Sequence, residues 1–319
     1  MSEATTIKAI TDLIREQASF LVASHESPDG DALASTLALT LALRGMGKEV
    51  VAYNQDGVVT PFSFLPGAET LVDTLPVGQS FDVGFVLDAG ELKRAGDELR
   101  DRCRVLVNID HHPCSEDFGE HYFVDESACS TGVLIYRLLQ AMQCPIDTAV
   151  ATNLYVTILS DTGSFRYSNA DKEAFAVASE MIDKGLHAWE IASRLYETQP
   201  VERLNLLGEA LQTLTVSKCG RFASVSVSCA MMERAGAGPE HTDGFVNYPR
   251  SIEGVEVAIF FREISTGLFK VGFRSKGNVD VGALARELGA GAHHNAAGAK
   301  VEGNLAEVRA EVFKRLGIS

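Results

Sequence analysis

The stretch "FLVASHESPDGDALASTLALTLAL", residues 20–43, decides the fold class of this chain. It opens with a short apolar run typical of a buried strand, and the apolar residues that follow predict a helix over 31–46. Between strand and helix, His25, Asp29 and Asp31 fall within seven residues, together with a proline and a glycine. A buried strand that leads through polar residues into an apolar helix indicates an α/β unit, with the polar residues at the carboxyl end of the strand.

The same alternation of strands and helices continues through the first half of the chain. Residues 5–18 predict an amphipathic helix ahead of the opening strand. Strand-like segments follow at 49–54, 81–90 and 103–112, and helical segments at 130–142 and 147–165. This order predicts the α/β class, with a doubly wound, mainly parallel sheet that carries helices on both faces.

A change in composition near 190–215 divides the chain. This segment has a helical pattern, is more polar than the residues before it, and is interrupted at Pro200. We interpret 191–215 as a helical connector between a first domain, 1–190, and a smaller second domain, 216–319. An α+β fold is predicted for the second domain from strand candidates at 221–229, 255–261 and 268–274 and a helix near 281–288. We expect the active site in the cleft between the domains, where small-ligand pockets are common.

The net charge of −15 is unevenly distributed along the chain. Residues 221–319 carry 12 Lys and Arg against 11 Asp and Glu, so the excess of acidic residues lies before residue 221. Such a protein is a poor match for long duplex nucleic acid, which is bound through many contacts of Lys and Arg to phosphate. A short anionic substrate held by metal ions is compatible with this charge, and the near-neutral last third is expected to bind anions.

The cysteines and the apolar segments bear on the cellular compartment. The six cysteines form no CxxC pair, which indicates reduced thiols in a cytosolic protein. The sequence does not open with a basic segment followed by an apolar one, so we expect no signal peptide. The longest apolar run, 32–43, is too short to cross a bilayer. We therefore expect a cytoplasmic protein that does not bind membranes.

Three of the predicted strands end in polar residues that can bind metal. The first strand is followed by His25, Asp29 and Asp31, the strand at 81–90 ends near Asp88, and the strand at 103–112 ends in Asp110, His111 and His112. A further candidate, Asp161, ends a long apolar helix. Ligands of open parallel sheets bind beyond the carboxyl ends of the strands, so these residues can converge. Carboxylates that converge repel one another unless a cation is present, and mixed His and Asp ligands suit Mn²⁺, Mg²⁺ or Zn²⁺. Taken alone, Asp31 has an ordinary alternative role as the N-cap of its helix.

Four motifs in this order resemble those of the DHH phosphoesterase superfamily: "HESPDGDALAS" (25–35), "VLDAG" (86–90), "NIDHHP" (108–113) and "ILSDTGSFRYSN" (158–169). The later segments "FFRE" (260–263), "GFRSK" (272–276) and "GAGAHHNAAG" (289–298) resemble the DHH-associated domain that follows in part of that superfamily. The resemblance covers almost the whole chain. It is greatest to the bacterial branch of oligoribonucleases, or nanoRNases, that also remove the 3′-phosphate of 3′-phosphoadenosine 5′-phosphate (pAp).

The resemblance implies two divalent metal ions, with Mn²⁺ expected and Mg²⁺ as the alternative. By the family pattern, His25 and Asp29 bind one ion, and the other is bound by the set Asp31, His111 and Asp161. Asp88 bridges the two ions. Within the DHH triplet, the pattern assigns catalysis to His112, which faces the scissile phosphate as a general acid or as a hydrogen-bond donor. Asp110 orients it.

The resemblance also implies substrate-binding residues in the second domain. Arg262, Arg274 and Lys276 are placed by their motifs to bind phosphate, with ordinary surface charge as the alternative. The matched residues of the glycine-rich loop are Gly291 and His293. This loop departs from the family pattern, because Ala290 and Ala292 replace two glycines of the run that usually precedes the histidine. Arg166 has two alternative roles, a substrate contact at the mouth of the cleft or a structural ion pair.

The expected enzyme hydrolyses short single-stranded oligoribonucleotides and linear dinucleotides to nucleoside monophosphates, removes the 3′-phosphate of pAp, or does both. The nearest alternatives are a soluble phosphodiesterase of cyclic dinucleotides such as cyclic di-AMP and a RecJ-like single-strand exonuclease. A non-catalytic nucleotide-binding module is the alternative from outside the enzymes. We expect no duplex nucleic acid as a partner, and the oligomeric state stays open, a homodimer included.

Overall fold

The computed structural model describes residues 2–113, 115–277, 279–288 and 296–316. The chain divides into two compact units, 1–198 and 199–319. This division falls inside the predicted connector. Within the connector, Leu195 packs into the core of the first unit and Leu206 into a core of the second. The segment therefore consists of the last helix of one unit and the first helix of the next.

The first unit contains eight helices and six strands among its described residues. In chain order they are α1 (Glu3–Glu16), β1 (Ser19–Ser24), α2 (Gly30–Gly45), β2 (Glu49–Tyr53), β3 (Leu71–Val72), β4 (Phe81–Leu87), α3 (Leu92–Ala95), α4 (Leu99–Arg102), β5 (Cys103–Asp110), β6 (His121–Val124), α5 (Thr131–Ala141), α6 (Thr148–Asp161), α7 (Lys172–Asp183) and α8 (Ala188–Tyr196). Two 3₁₀ turns, Phe62–Phe64 and Ala68–Thr70, precede β3.

The sheet of the first unit has the order β3-β2-β1-β4-β5-β6, and every pair of neighbouring strands is parallel. Side chains alternate across β1. Phe20 and Val22 pack into the core on one face, whereas Leu21 and Ala23 pack into a separate core on the other. Helices cover both faces because both are apolar. The prediction of a doubly wound parallel sheet is confirmed.

Helix α2 brings the functional loop against the other helices. It is apolar on all sides because it is buried among β1, β2, α5 and α6. At its first residue, Gly30, a Cβ would lie only 2.5 Å from Oγ of Ser160, so glycine permits the close approach of α2 and α6. Gly132 of α5 likewise leaves room for Thr157 of α6. These contacts bring the polar ends of three helices together.

Two differences from the predicted elements have a local cause. The predicted helix 147–165 ends at Asp161, because Gly163, Ser164 and Phe165 have left-handed φ angles of 55°, 62° and 61°. Strand β6 was not predicted. It is only four residues long and lies at the edge of the sheet, so its sequence carries little of the apolar pattern of a central strand.

The second unit is smaller and has a mixed sheet of order β11-β10-β9-β8-β7. Its elements are α9 (Val201–Gln212), β7 (Thr215–Val216), β8 (Phe222–Val227), α10 (Cys229–Ala235), a 3₁₀ turn (Pro239–Thr242), α11 (Asn247–Arg250), β9 (Val257–Ser265), β10 (Leu268–Ser275), α12 (Val281–Glu287), β11 (Ala296–Glu302) and α13 (Leu305–Arg315). The predicted smaller α+β domain is confirmed. Strand β11 was missed because its glycine and alanine residues have low strand propensity. Within the described ranges, no helix meets the length and hydropathy needed to cross a membrane.

Candidate metal centre

Seven side chains with metal-ligating atoms converge in the first unit. They are His25, Asp29, Asp31, Asp88, His111, His112 and Asp161. Most of them follow the carboxyl ends of β1, β4 and β5, which are neighbours in the sheet, and Asp161 ends α6, which packs on α2. Residues that are far apart in the chain therefore meet at one edge of the sheet.

One group of ligand atoms consists of His25, Asp29 and Asp88, all within 4.8 Å of one another. Nε2 of His25 lies 3.7 Å from Oδ2 of Asp88. Nδ1 of the same ring lies 2.7 Å from the carbonyl oxygen of Glu26, which can only accept a hydrogen bond. Nδ1 therefore carries the proton, and the lone pair of Nε2 faces the carboxylates, as a metal ligand requires.

A second group consists of Asp31, His111 and Asp161, again within 4.8 Å. Nε2 of His111 lies 3.2 Å from Oδ2 of Asp161 and 3.7 Å from Oδ2 of Asp31. It also lies 3.5 Å from Oδ1 of Asp88, the residue that belongs to the first group. The Nδ1 atom of His111 donates to the carbonyl oxygen of Ala128 at 3.1 Å. One oxygen of Asp88 thus faces each group.

The charges of these groups call for a cation. Burial, followed by the nearby Asp29, raises the pKa of Asp31 to about 7. Burial and then the repulsion of Asp31 and Asp29 raise the pKa values of Asp88 and Asp161 well above the usual range. Burial lowers the pKa values of His25 and His111, which favours the neutral form of both imidazoles. Neutral imidazoles and mutually repelling carboxylates fit divalent cations, which remove the repulsion.

The role of N-cap falls to Asp29, and the alternative role considered for Asp31 is wrong. Oδ1 of Asp29 accepts hydrogen bonds from the backbone N–H groups of Asp31 at 3.0 Å and Ala32 at 3.1 Å. The carboxylate of Asp31 turns instead to the first turn of α5. There it accepts the backbone N–H of Thr131 at 2.7 Å and that of Gly132 at 3.2 Å.

Thr131 also contacts the shared aspartate, because its Oγ1 donates to Oδ1 of Asp88 at 2.9 Å. Thr131 was not predicted as a residue of the site. The available signal was the pair "ST" at 130–131, the first two residues of the predicted helix 130–142, which is typical of a helix N-terminus and does not by itself indicate a metal site. Asp88 itself has a left-handed φ of 58°, a conformation that Asp and Asn tolerate better than most residues.

Asp110 and His112 form a pair, and His112 also belongs to a third group of possible metal ligands, with Asp88 and His111. Oδ1 of Asp110 accepts hydrogen bonds from the backbone N–H of His112 at 3.0 Å and from its Nδ1 at 2.8 Å, and Oδ2 accepts the N–H of Gly90 at 2.9 Å. Burial acts to raise the pKa of Asp110, but the bonds from His112 outweigh it and lower the pKa to about 2. Burial likewise acts against protonation of His112, yet Asp110 raises the pKa of that ring. His112 Nδ1 lies 3.4 Å from Oδ1 of Asp88.

Arg166 follows the left-handed turn after α6. It is exposed, and its Nε donates to the carbonyl oxygen of Gly163 at 2.6 Å. Among residues 2–113, 115–277, 279–288 and 296–316, it forms no ion pair, so the structural ion pair considered for it is not observed. The ring of Tyr167 closes over Gly163, where a Cβ would overlap it.

Two of the predicted substrate-binding residues of the second unit, Arg262 and Arg274, lie on one face of its sheet. Arg262 on β9 pairs with Lys270 on β10, and Arg274 on β10 pairs with Ala258 on β9. Paired residues point to the same face and side chains alternate, so Arg262 and Arg274 share a face. Nζ of Lys276 donates to the carbonyl oxygen of Ile252 at 3.2 Å. Gly291 and His293 lie outside the described residues, as do Ala290 and Ala292.

Comparison with known proteins agrees with the motifs. The model of the DHH family, N-terminal domain, matches residues 19–158, and that of the DHHA1 domain matches residues 223–317. A bifunctional oligoribonuclease and PAP phosphatase NrnA from Thermus thermophilus is 34% identical over 286 residues, which are 88% of this chain and 84% of that protein. A protein of the same name from Bacillus subtilis is 29% identical, over 91% of this chain and 93% of that protein.

A solved structure is similar over nearly the whole chain. The crystal structure of an exopolyphosphatase-related protein from Bacteroides fragilis superimposes with a TM-score of 0.93 at 28% sequence identity. The match covers 98% of this chain and 95% of that one.

Proposed function

The chain belongs to the DHH family, and we propose that it is a metal-dependent phosphoesterase that hydrolyses short oligoribonucleotides to nucleoside monophosphates and removes the 3′-phosphate of pAp. The observation that carries the proposal is the position of Asp88, whose two carboxylate oxygens face two separate groups of metal-ligating side chains. The choice of substrates follows the relatives from Thermus thermophilus and Bacillus subtilis, which are named for both activities.

The proposed cofactor is a pair of divalent ions, with Mn²⁺ preferred over Mg²⁺. His25 and Asp29 would bind one ion and Asp31, His111 and Asp161 the other, with Asp88 shared by both. Two ions so placed supply a nucleophile from water at neutral pH and neutralise the charge of the phosphate. The oxygen and imidazole donors of these groups fit Mn²⁺.

Within this proposal, the protein orients the phosphate and donates to it. The pair of hydrogen bonds to Asp110 fixes the ring plane of His112, and the negative charge of Asp110 favours the protonated ring. A protonated His112 beside the shared Asp88 can donate to a phosphate oxygen. The same ring can deliver its proton to the leaving oxygen, which is the general-acid role.

The second unit is proposed to bind the phosphate groups of the substrate. Arg262 and Arg274 share a sheet face, as the strand register supports, and Lys276 follows at the end of β10. Arginine binds phosphate oxygens through two parallel N–H donors, so a pair of arginines on one face suits a substrate with more than one phosphate. Arg166 is proposed as a further substrate contact in the first unit.

A panel of substrates tests the proposal. Purified protein with Mn²⁺ is given an RNA dinucleotide, pAp and cyclic di-AMP, and the products are resolved by chromatography. We expect AMP from pAp and mononucleotides from the dinucleotide, with activity lost on chelation and restored by Mn²⁺. Rapid cleavage of cyclic di-AMP alone would favour the cyclic-dinucleotide alternative. Substrate binding without hydrolysis under any divalent ion would favour the nucleotide-binding module.

A further inference from the structure

Arg94 lies beside the metal-ligating residues and has no role in the site described so far. It belongs to the short helix α3, six residues after Asp88, and its side chain is half-buried. Nη1 of Arg94 donates to the carbonyl oxygen of Ala89 at 3.0 Å. Its own carbonyl oxygen accepts the N–H of Glu26 at 2.6 Å, in the loop that follows His25. Arg94 thus joins the loops that carry two of the metal-ligating residues.

The guanidinium of Arg94 lies at the end of β4, beside the residues that follow Asp88. Nη1 contacts the carbonyl oxygen of Ala89, the residue directly after Asp88. It also lies 3.9 Å from the position that a Cβ on Gly90 would occupy, and the N–H of Gly90 donates to Oδ2 of Asp110 at 2.9 Å. The guanidinium is therefore held next to Asp88 and next to the carboxylate that orients His112.

No carboxylate neutralises Arg94 within the described ranges of the chain. Arg137, by comparison, is a similarly protected arginine of the same unit, and it pairs with Glu3, Asp125 and Glu173. A half-buried cation without an anion is costly, because it has lost part of its hydration without gaining an opposite charge. The guanidinium has five N–H donors, and the carbonyl of Ala89 takes one of them.

We propose that Arg94 binds a phosphate oxygen of the substrate and thereby holds the phosphate against the metal ions. This inference rests on the proposed function and assigns to Arg94 a contact that the sequence motifs do not include. Arginine suits the role because its fork of donors matches two phosphate oxygens, which lysine cannot do.

Three variants separate this role from a purely structural one. Arg94→Gln removes the charge and keeps an amide that can donate to Ala89, and Arg94→Lys keeps the charge without the fork. Lys93→Ala is the matched control, because Lys93 is the neighbouring cation, 72% exposed, and pairs with Glu91 at 3.9 Å. Each variant is measured for kcat and KM on pAp and on an RNA dinucleotide, for Mn²⁺ binding, and for the affinity of the Mn²⁺-loaded protein for orthophosphate.

We expect Arg94→Gln to lower kcat/KM by about 10- to 100-fold, mainly through KM, since a hydrogen bond between charged groups has that range of effect. Its affinity for orthophosphate falls in parallel, and its Mn²⁺ binding and melting temperature stay unchanged. The kcat/KM and orthophosphate affinity of Arg94→Lys fall between those of Arg94→Gln and the wild type, and those of Lys93→Ala match the wild type.

Two results would overturn the inference. One is an Arg94→Gln protein whose kcat/KM and orthophosphate affinity match the wild type. The other is a loss of Mn²⁺ binding in both Arg94→Gln and Arg94→Lys, which would make Arg94 a support of the metal loops. If the wild type hydrolyses neither substrate, the proposed function fails, and the orthophosphate titration still decides the role of Arg94.

Discussion

The hydroxyl of Thr131 lies 2.9 Å from Oδ1 of Asp88 and donates a hydrogen bond to it. Both residues are fully buried, so this bond is not exchanged with water. The same residue donates its backbone N–H to Asp31 at 2.7 Å. Thr131 is therefore a positioning residue. Its hydroxyl fixes the orientation of Asp88, which is shared by two groups of ligands, and its backbone N–H fixes that of Asp31, which belongs to one group.

Replacing Thr131 by valine should weaken metal binding without unfolding the protein. Valine keeps the shape and the backbone N–H but removes the hydroxyl, and loss of a hydrogen bond to a ligand costs about 10- to 100-fold in metal affinity or activity. Thr131→Ser keeps the hydroxyl and should restore most of the affinity. Mn²⁺ affinity measured by isothermal titration calorimetry checks this expectation.

Thr40→Val is the matched control for the Thr131 variants. Thr40 is a fully buried threonine of α2 whose hydroxyl has no hydrogen-bond partner. The same substitution there should leave Mn²⁺ affinity unchanged. Equal losses in Thr131→Val and Thr131→Ser would mean that the hydroxyl does not orient Asp88.

The stability of the metal-free protein should depend on pH. The pKa of Asp31 is raised from 3.8 to about 7 by burial and by Asp29, so the folded state binds a proton that the unfolded state has released. The free energy of unfolding therefore falls as pH rises from about 4 to 7. Urea unfolding of chelated protein at pH 5 and pH 8 checks the direction, with lower stability expected at pH 8.

Two controls accompany the pH measurement. Asp31→Asn removes the titrating carboxylate and should reduce the difference in unfolding free energy between the two pH values. Saturating Mn²⁺ should also reduce it, because a bound cation stabilises the ionised carboxylates. A chelated protein that is more stable at pH 8 than at pH 5 would contradict the raised pKa of Asp31.

Catalytic efficiency should be highest for short RNA. The unit that contains the metal-ligating residues carries 14 Lys and Arg against 30 Asp and Glu, and the second unit carries 14 against 13. A long strand gains few further contacts to cations and meets mostly negative surface, so we expect kcat/KM to peak at about two to five nucleotides. A length series from two to twenty nucleotides at fixed salt and Mn²⁺ checks this. Efficiency that rises through the whole series would instead indicate a processive exonuclease.

The convergence of the metal-ligating residues could be predicted because it depends on topology. His25, Asp88 and His111 follow strands that are neighbours in a parallel sheet, and such strands end at one edge. Helix α2 could be predicted from its apolar run, but its N-cap could not, because both Asp29 and Asp31 stand where a cap is expected and Asp29 takes that role. The pattern of strands and helices therefore carries both the fold and the site.

The supporting contacts could not be predicted, because they depend on how helices pack. Thr131 reaches Asp31 and Asp88 only because α5 begins beside α2, and no periodicity in the sequence specifies that placement. The sequence around Arg94 is that of an ordinary surface cation, and its position depends on a backbone hydrogen bond between α3 and the loop after β1. The left-handed φ of Asp88 has no sequence signal either.

A titration of Mn²⁺ into metal-free wild type and Asp88→Asn, followed by electron paramagnetic resonance, tests whether Asp88 is shared by two metal ions. Asparagine tolerates the left-handed φ of 58°, so the variant should fold with an unchanged melting temperature. We expect two Mn²⁺ per wild-type chain with a spin-coupled signal. In Asp88→Asn the coupling should disappear, and hydrolysis should fall by more than about 100-fold, since the metal ions supply several kcal/mol of transition-state stabilisation. A single uncoupled Mn²⁺ in the wild type, or an Asp88→Asn protein that keeps its activity, would contradict a site built on a shared Asp88.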